Sequence, residues 1–345
     1  MSTNISIYNA IKNEYDRRQK QALDELERRK KEVYERIPRI KDIEDEITRL
    51  GLRYNKMILH GLSDTDRVLH ELSSCIESLK KEKEKLLLEH GYNPGYLEMT
   101  YHCSKCCDTG IIRGNTGMEK CFCYKQLLID YLYNQSNLLL AKTENFGNFD
   151  ETLYPDVVDE KRYGIKKSPR ENILGIREKC MKFIENFDSP EEKNLFFCGP
   201  AGVGKTFMAN CIAAEIMKLG KTVLYQTAPV LFDTITDYKM RAFKDEYYDD
   251  TAYKKIFDVE LLIIDDLGTE SQSAARYAEL LNILNTRQIN NLSRPCKTII
   301  STNIEPDKLF EFYTERVESR IIGSFALYKF AGDDIRKIKK LGRNK

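Results

Sequence analysis

The stretch Leu195-Phe196-Phe197-Cys198-Gly199-Pro200-Ala201-Gly202-Val203-Gly204-Lys205-Thr206 decides how this chain is read. A short apolar run is followed by G-x-x-x-x-G-K-T. The run predicts a buried strand, and the glycines let the following turn wrap closely around an anion. Backbone N–H groups of such a turn face phosphate oxygens, and the helix opening near Lys205 aims the positive end of its dipole at the same point. Lys205 then reaches the outer phosphates and the Thr206 hydroxyl ligates Mg²⁺. The helix is expected from Thr206 to about Leu219, closed by Gly220.

Downstream, Glu260-Leu261-Leu262-Ile263-Ile264-Asp265-Asp266 is an apolar run ending in two acids. A strand buried on both faces whose carboxyl end opens into a site reads this way. Asp265 is expected in the Mg²⁺ shell and Asp266 to polarise an attacking water. Two adjacent acids need a cation nearby. Further strands are expected over 222–226, 297–301 and 325–330, with helices over 173–187 and within 233–257. At the tip of the 297–301 strand, the Asn303 amide is placed either to orient the lytic water or γ-phosphate, or to cap the turn at Pro306. Arg316 and Arg320 share one helical face. An arginine held away from its own phosphate loop stabilises transition-state charge if it reaches a neighbouring copy; otherwise these are surface Arg–Glu pairs.

Upstream, Cys103-x-x-Cys106 and Cys121-x-Cys123 are separated by a spacer of fourteen residues. Four thiolates in two pairs can close a tetrahedron on Zn²⁺. A closed thiolate site is structural rather than catalytic. Cys107 and His102 compete for places in this set, and Gly110, Gly114 and Gly117 suit a turn or hairpin between the pairs. Residues 1–92 are dense in Lys, Arg, Glu and aliphatics. Leu26, Val33, Ile40 and Ile47 recur every seven positions, joined by Leu23, Ile37, Ile43 and Leu50; Pro38 ends one helix and begins another. Ser63 with Asp66 marks the start of a second helix whose stripe runs Leu69, Leu72, Ile76, Leu79, Leu86, with Lys83 as a polar exception. A helical hairpin or short coiled coil is expected, its stripe buried internally or shared with a partner protein. Tyr124 to about Ser136 is expected to be helical. The Asn145-Phe146-Gly147-Asn148-Phe149-Asp150 loop either packs on the core or lies near a base.

The bulk composition limits the alternatives. A chain of 345 residues suggests two domains, and 41% hydrophobic residues suffice for a core. Net charge +1 gives no global case for a nucleic-acid or membrane surface, so any basic surface is local. No apolar run of membrane-spanning length occurs, so no membrane partner is expected. Ten cysteines with no apolar signal core point to a reducing cytoplasm.

The order G-P-A-G-V-G-K-T, L-L-I-I-D-D-L-G-T-E, I-I-S-T-N, E-R-V-E-S-R-I, D-D-I-R over about residues 140–340 resembles the ATPase domain of bacterial replicative helicase loaders, the DnaC/DnaI group, and the related transposition helper IstB, a branch of the AAA+ ATPases. The cysteine module followed by N-F-x-x-F-D is similar to DnaI-type and phage loaders. The resemblance implies an α/β P-loop AAA+ domain, a parallel sheet flanked by helices, over 163–345; the residues themselves place a helical or coiled-coil region (1–92), a zinc-binding module (93–135) and a linker with the aromatic loop (136–162) before it. The resemblance also implies Gly199, Pro200, Ala201, Gly202, Val203, Gly204, Lys205 and Thr206 as the phosphate loop. Asp265 and Asp266 become the Walker B acids, Asn303 sensor 1, Arg320 the arginine finger and Arg336 the sensor 2 arginine. The second Walker B acid is Asp266 where the wider group usually has Glu, and Glu270 is a further candidate carboxylate. ATP, Mg²⁺ and structural Zn²⁺ are the implied cofactors. A hexameric replicative helicase, single-stranded DNA and further copies of the chain, assembled on ATP, are the implied partners. A transposition helper acting with a transposase, or a non-hydrolysing adaptor, are the competing readings.

Overall fold

The computed structural model describes residues 2–59, 65–114, 117–133, 143–244 and 250–342. The chain divides into two compact units, Ala10–Glu119 on the one hand and Met1–Asn9 with Lys120–Lys345 on the other.

The Ala10–Glu119 unit is built on three helices, α1 (Ser2–Arg36), α2 (Pro38–Leu59) and α3 (Thr65–Glu89), then a hairpin of β1 (Ile111–Gly114) and β2 (Gly117–Lys120). Pro38 ends one helix and opens the next, as its ring requires. Val33, Ile37, Ile40, Leu87 and Leu97 form its main core, with Ile43, Leu72 and Leu79 also buried. The seven-residue stripe is therefore only partly internal. Leu26 and Ile47 are half-buried, and Leu23 is exposed. Arg29 is instead buried, donating to the carbonyls of Tyr96 (2.7 Å) and Glu98 (3.1 Å), which no periodicity in the sequence marks. Lys83, the polar exception on α3, crosses to Glu44 on α2 at 2.6 Å. The expected Ser63–Asp66 start signal and the Leu69 side chain lie outside the described residues.

The second unit holds a five-stranded, all-parallel sheet in the order β4-β5-β6-β3-β7, where β3 is Asn194–Cys198, β4 Val223–Thr227, β5 Leu261–Leu267, β6 Lys297–Thr302 and β7 Phe325–Lys329. Each strand lies within a residue or two of the span expected from the apolar runs. Side chains alternate between faces as a period of two demands. Leu195 and Phe197 of β3, with Leu261 and Ile263 of β5, enter a core closed by α6 (Pro169–Glu185) and α7 (Lys205–Lys218). Phe196, Leu262 and Ile264 enter the opposite core. That core is covered by α4 (Phe122–Tyr133), α8 (Ala228–Lys244), α9 (Thr251–Asp258), α10 (Ala274–Asn290), α11 (Leu309–Phe312) and α12 (Glu315–Ser324). Each fully buried aliphatic or aromatic side chain contributes about 1.5–3 kcal/mol, so these two layers carry the domain. A short helix, α5 (Glu160–Tyr163), precedes α6, and α13 (Ile335–Gly342) ends the described chain.

The loop at 146–154, read from the sequence as part of a linker, is packed on this unit. Phe146, Phe149 and Leu153 lie against the α6–α7 core and Tyr154 is buried in it. Of the two placements open for its aromatics, packing holds for Phe146, and Phe149 also faces the cavity described next.

Candidate functional site

Strand order places the site. Because β6 lies between β3 and β5, the carboxyl ends of the three strands open side by side, and each ends in a polar motif. The turn after β3 is held by its glycines. Gly199 has φ +136°, and a Cβ there would stand 2.2 Å from the Phe330 carbonyl oxygen. Gly202 (φ +81°) lies under Asp334, and Gly204 (φ +96°) under the Tyr154 hydroxyl. The Tyr154 hydroxyl donates to the Val203 carbonyl at 3.1 Å, so the upstream loop clasps the turn. Gly204 is also the cap residue from which α7 starts.

Lys205 is buried at the foot of this turn. Its Nζ donates to the carbonyls of Gly199 (2.7 Å) and Pro200 (2.8 Å) and to Asn303 Oδ1 (2.8 Å). Burial lowers its pKa below the ordinary lysine value, against the pull of Asp265 and Asp266. Thr206 Oγ1 donates to Asp265 Oδ2 at 3.0 Å. Asp265 is buried at the end of β5 and also accepts from the Tyr225 hydroxyl, with its other oxygen taking the Asp266 N–H at 3.0 Å. Asp266 sits at φ +54°, a conformation a non-glycine residue adopts only where its surroundings impose it, and its carboxyl is exposed toward the cavity. Partial burial, then the neighbouring Asp265, raise its pKa above the usual aspartate value.

The cavity above these groups has a volume of about 240 Å³. Its polar lining is Gly202, Gly204, Lys205, Thr206, Asp266 and Asn303; its apolar lining is Phe149, Leu153, Phe207 and Ile335; Arg336 and Lys339 of α13 also line it. The polar lining suits a polyphosphate and the apolar lining an aromatic base. For Mg²⁺, the donor set fits: Thr206 Oγ1 and Asp265 Oδ2 already stand within hydrogen-bond distance of each other, both of them hard oxygen donors.

The remaining candidates separate. Arg336 lines the cavity, while Arg320 does not. Arg320 is exposed on α12, its Nη1 donating to Gln288 Oε1 at 3.2 Å, and it shares a surface crevice with Arg316. Asn303 does not cap the Pro306 turn, whose cap is Glu305; it faces Lys205. Glu270, offered as a further carboxylate, is buried and does not line the cavity; its oxygens accept from the Gly268 N–H (2.8 Å) and the Tyr313 hydroxyl (2.5 Å). Sequence reasoning missed Tyr154 and Tyr225. A tyrosine inside an otherwise apolar strand, as in Leu224-Tyr225-Gln226, was the available signal for the second, because a buried hydroxyl needs a partner.

In the 103–123 stretch, the sulfurs of Cys103, Cys106, Cys121 and Cys123 all lie within 4.8 Å of one another. A tetrahedral zinc–thiolate site, with bonds of about 2.3 Å, needs sulfurs about 3.8 Å apart, so this set fits Zn²⁺ with little movement. Asp108, fully buried, accepts from the N–H groups of His102 (2.8 Å) and Cys103 (2.9 Å), and the Gly110 N–H donates to Cys106 Sγ at 3.4 Å. Cys107 lies outside the cluster and is exposed at φ +49°. The second pair opens helix α4 instead of forming a second tight turn, and a helix start favours thiolate charge. Among the described residues no helix is long and apolar enough to cross a membrane.

Fold and site together define an ATP-binding P-loop domain of the AAA+ class. Residues 177–305 match the IstB-like ATP binding protein family. The chain is 28% identical over 162 residues to the insertion sequence ATP-binding protein y4pL of Sinorhizobium fredii, covering 46% of this chain and 62% of the relative. It is 24% identical over 151 residues to the replicative helicase loader DnaC of Escherichia coli (44% and 58%). It is 23% identical over 269 residues to the replicative helicase loader DnaI of Bacillus subtilis (75% and 73%). The chain thus spans about three fifths of the length of the first two relatives. A crystal structure of the DnaC helicase loader aligns at TM-score 0.39 and 27% identity, over 52% of this chain and 99% of that one. Within these bounds, residues 177–305 are similar to the IstB-like ATP binding proteins, and the chain is similar at low identity to the helicase loaders DnaC and DnaI.

Proposed function

We propose that the chain is an ATP-driven helicase loader. ATP occupies the cavity with its triphosphate in the Gly199–Thr206 turn and its base against Phe149 and Phe207. Lys205 exchanges its Asn303 and backbone partners for the outer phosphates. Mg²⁺, held by Thr206 and Asp265, neutralises phosphate charge when bound. Asp266 takes the proton of the attacking water, Asn303 orients that water, and Arg336 meets the phosphates from α13. Arg320, facing away from its own cavity, supplies charge to a neighbouring copy's γ-phosphate, so ATP assembles the active form. Zn²⁺ held by Cys103, Cys106, Cys121 and Cys123 stiffens its stretch of chain. The 10–119 region holds a hexameric replicative helicase, and local basic residues of the assembled ATPase grip single-stranded DNA.

The observation that carries the ATPase is the convergence of Lys205, Asn303, Thr206, Asp265 and Asp266 at three adjacent strand ends beneath an aromatic-walled cavity. What favours the loader is the reach of the similarity to DnaI, 269 residues, well beyond the ATPase core. A transposition helper is supported by the family match and by the similarity to y4pL.

The test is twofold. Single-stranded DNA binding is measured with and without ATP, across salt concentrations, because phosphate contacts give a steep salt slope. The full chain is then used to capture either a purified replicative helicase or a transposase. ATP-dependent, salt-sensitive binding with helicase capture supports the loader. Duplex binding with transposase capture supports the helper, and ATP-indifferent binding with neither capture refutes both.

A further inference from the structure

Glu270 is left over by the reading of the cavity. It is a buried acid four residues from Asp266, and it touches no part of the nucleotide site. Its two oxygens make two different connections. Oε2 accepts the Gly268 N–H at 2.8 Å, inside the tight turn that follows Asp266. Oε1 accepts the buried Tyr313 hydroxyl at 2.5 Å, two residues ahead of the helix that carries Arg316 and Arg320.

Both ends of this connection are fixed. The turn after Asp266 is tied to the Asn303 strand tip: Thr302 Oγ1 donates to the Leu267 carbonyl at 2.5 Å and accepts the Ile304 N–H at 3.0 Å. Gly268, at φ +98°, lies so close to Ile304 that a Cβ would stand 2.4 Å from its Cδ1. Thr269 N–H and hydroxyl both donate back to the Asp266 carbonyl. At the other end, Tyr313 packs edge-on to Tyr277 with ring centroids 5.5 Å apart, and Val317 and Ile321 root α12 in the core. The Asp266 turn and the start of α12 are thus joined through the two oxygens of Glu270.

We infer that the Glu270–Tyr313 hydrogen bond is a positioning device that sets the arginine helix according to the state of the Asp266 turn, so that Arg320 is presented to a neighbouring copy when the cavity is filled. Glu270 is then a positioning residue and not a water-activating base. The inference rests on the ATPase reading and on Arg320 acting in trans.

The test is a double-substitution cycle on the full-length protein with Tyr313→Phe and Arg320→Ala. Nucleotide affinity and ATP turnover are both measured, and turnover is normalised to the nucleotide-bound fraction so that loss of folded protein does not count. Tyr313→Phe is expected to leave the Kd for ATP within about twofold and to lower kcat about tenfold. Adding it to Arg320→Ala is expected to change kcat less than twofold further, because residues acting through one another are not additive. Glu270→Gln, whose amide can accept the Gly268 N–H and donate to the Tyr313 hydroxyl oxygen, is expected to retain more turnover than Glu270→Ala. Multiplicative losses in the double variant, or wild-type turnover in Tyr313→Phe, overturn the inference. Absence of turnover in the wild-type chain overturns the ATPase reading itself, a result distinct from either.

Discussion

Gly199→Ala tests the packing of the phosphate loop directly. Gly199 has φ +136°, and an added Cβ would meet the Phe330 carbonyl oxygen at 2.2 Å. Phe330 is fully buried and its N–H donates to the Cys198 carbonyl at 2.7 Å, so neither neighbour has room to yield. The backbone conformation costs about 1–3 kcal/mol for a residue with a side chain. Displacing Phe330 by the ångström needed weakens its hydrogen bond, a further 0.5–1.5 kcal/mol or about that. The sum is about 1.5–4.5 kcal/mol, or a Tm lowered by about 3–18 °C for a domain of this size. The same substitution distorts the turn whose N–H groups face the phosphates, so nucleotide affinity falls with it. The assay is urea unfolding followed by far-UV circular dichroism, in which a lower midpoint at unchanged m isolates stability. Gly175→Ala is the control: it lies exposed within α6 with nothing within 4 Å of an added Cβ, and it is expected to stabilise by about 0.5–1 kcal/mol. Gly199→Ala within about 0.5 kcal/mol of wild type would refute the packing argument, since that is the ordinary range for harmless substitutions.

Two further outcomes follow from the site. The Lys205 pKa is lowered by burial, so between its folded value and the ordinary lysine value the unfolded chain binds more protons and stability rises with pH. Phosphate restores the charged form; ATP affinity is therefore expected to fall as pH rises through that window, with proton uptake on binding, read by calorimetry in buffers of different ionisation enthalpy. At the cysteine cluster, purified protein is expected to hold one zinc per chain by elemental analysis, to lose it in Cys121→Ser and to keep it in Cys107→Ser.

The sheet was legible because its strands are short, apolar and bounded by glycine or acid, and because the phosphate turn requires glycine for reasons local to its backbone. The placement of Asp265 and Asp266 at a strand end and the grouping of the four cysteines were legible for the same reason, because both follow from spacing along the chain. What escaped was set by contacts distant in sequence. Tyr154 reaches Val203 across 49 positions and Tyr225 reaches Asp265 across 40, and no local pattern names either partner. Arg29 takes an internal position in a helix whose heptad marked Leu23, because carbonyls from residues 96 and 98 come to meet it. Glu270 read as a further candidate carboxylate because four residues separate it from Asp266; the fold turns it toward Tyr313.

The most direct measurement of the central claim is titration calorimetry of Mg-ATP into the full chain and into Lys205→Ala. The account predicts saturable binding of one ATP per chain and a loss of at least about tenfold in affinity for the variant, the scale of one hydrogen bond to a charged group. A wild-type chain that binds no ATP, or a variant that binds it equally well, would contradict the account.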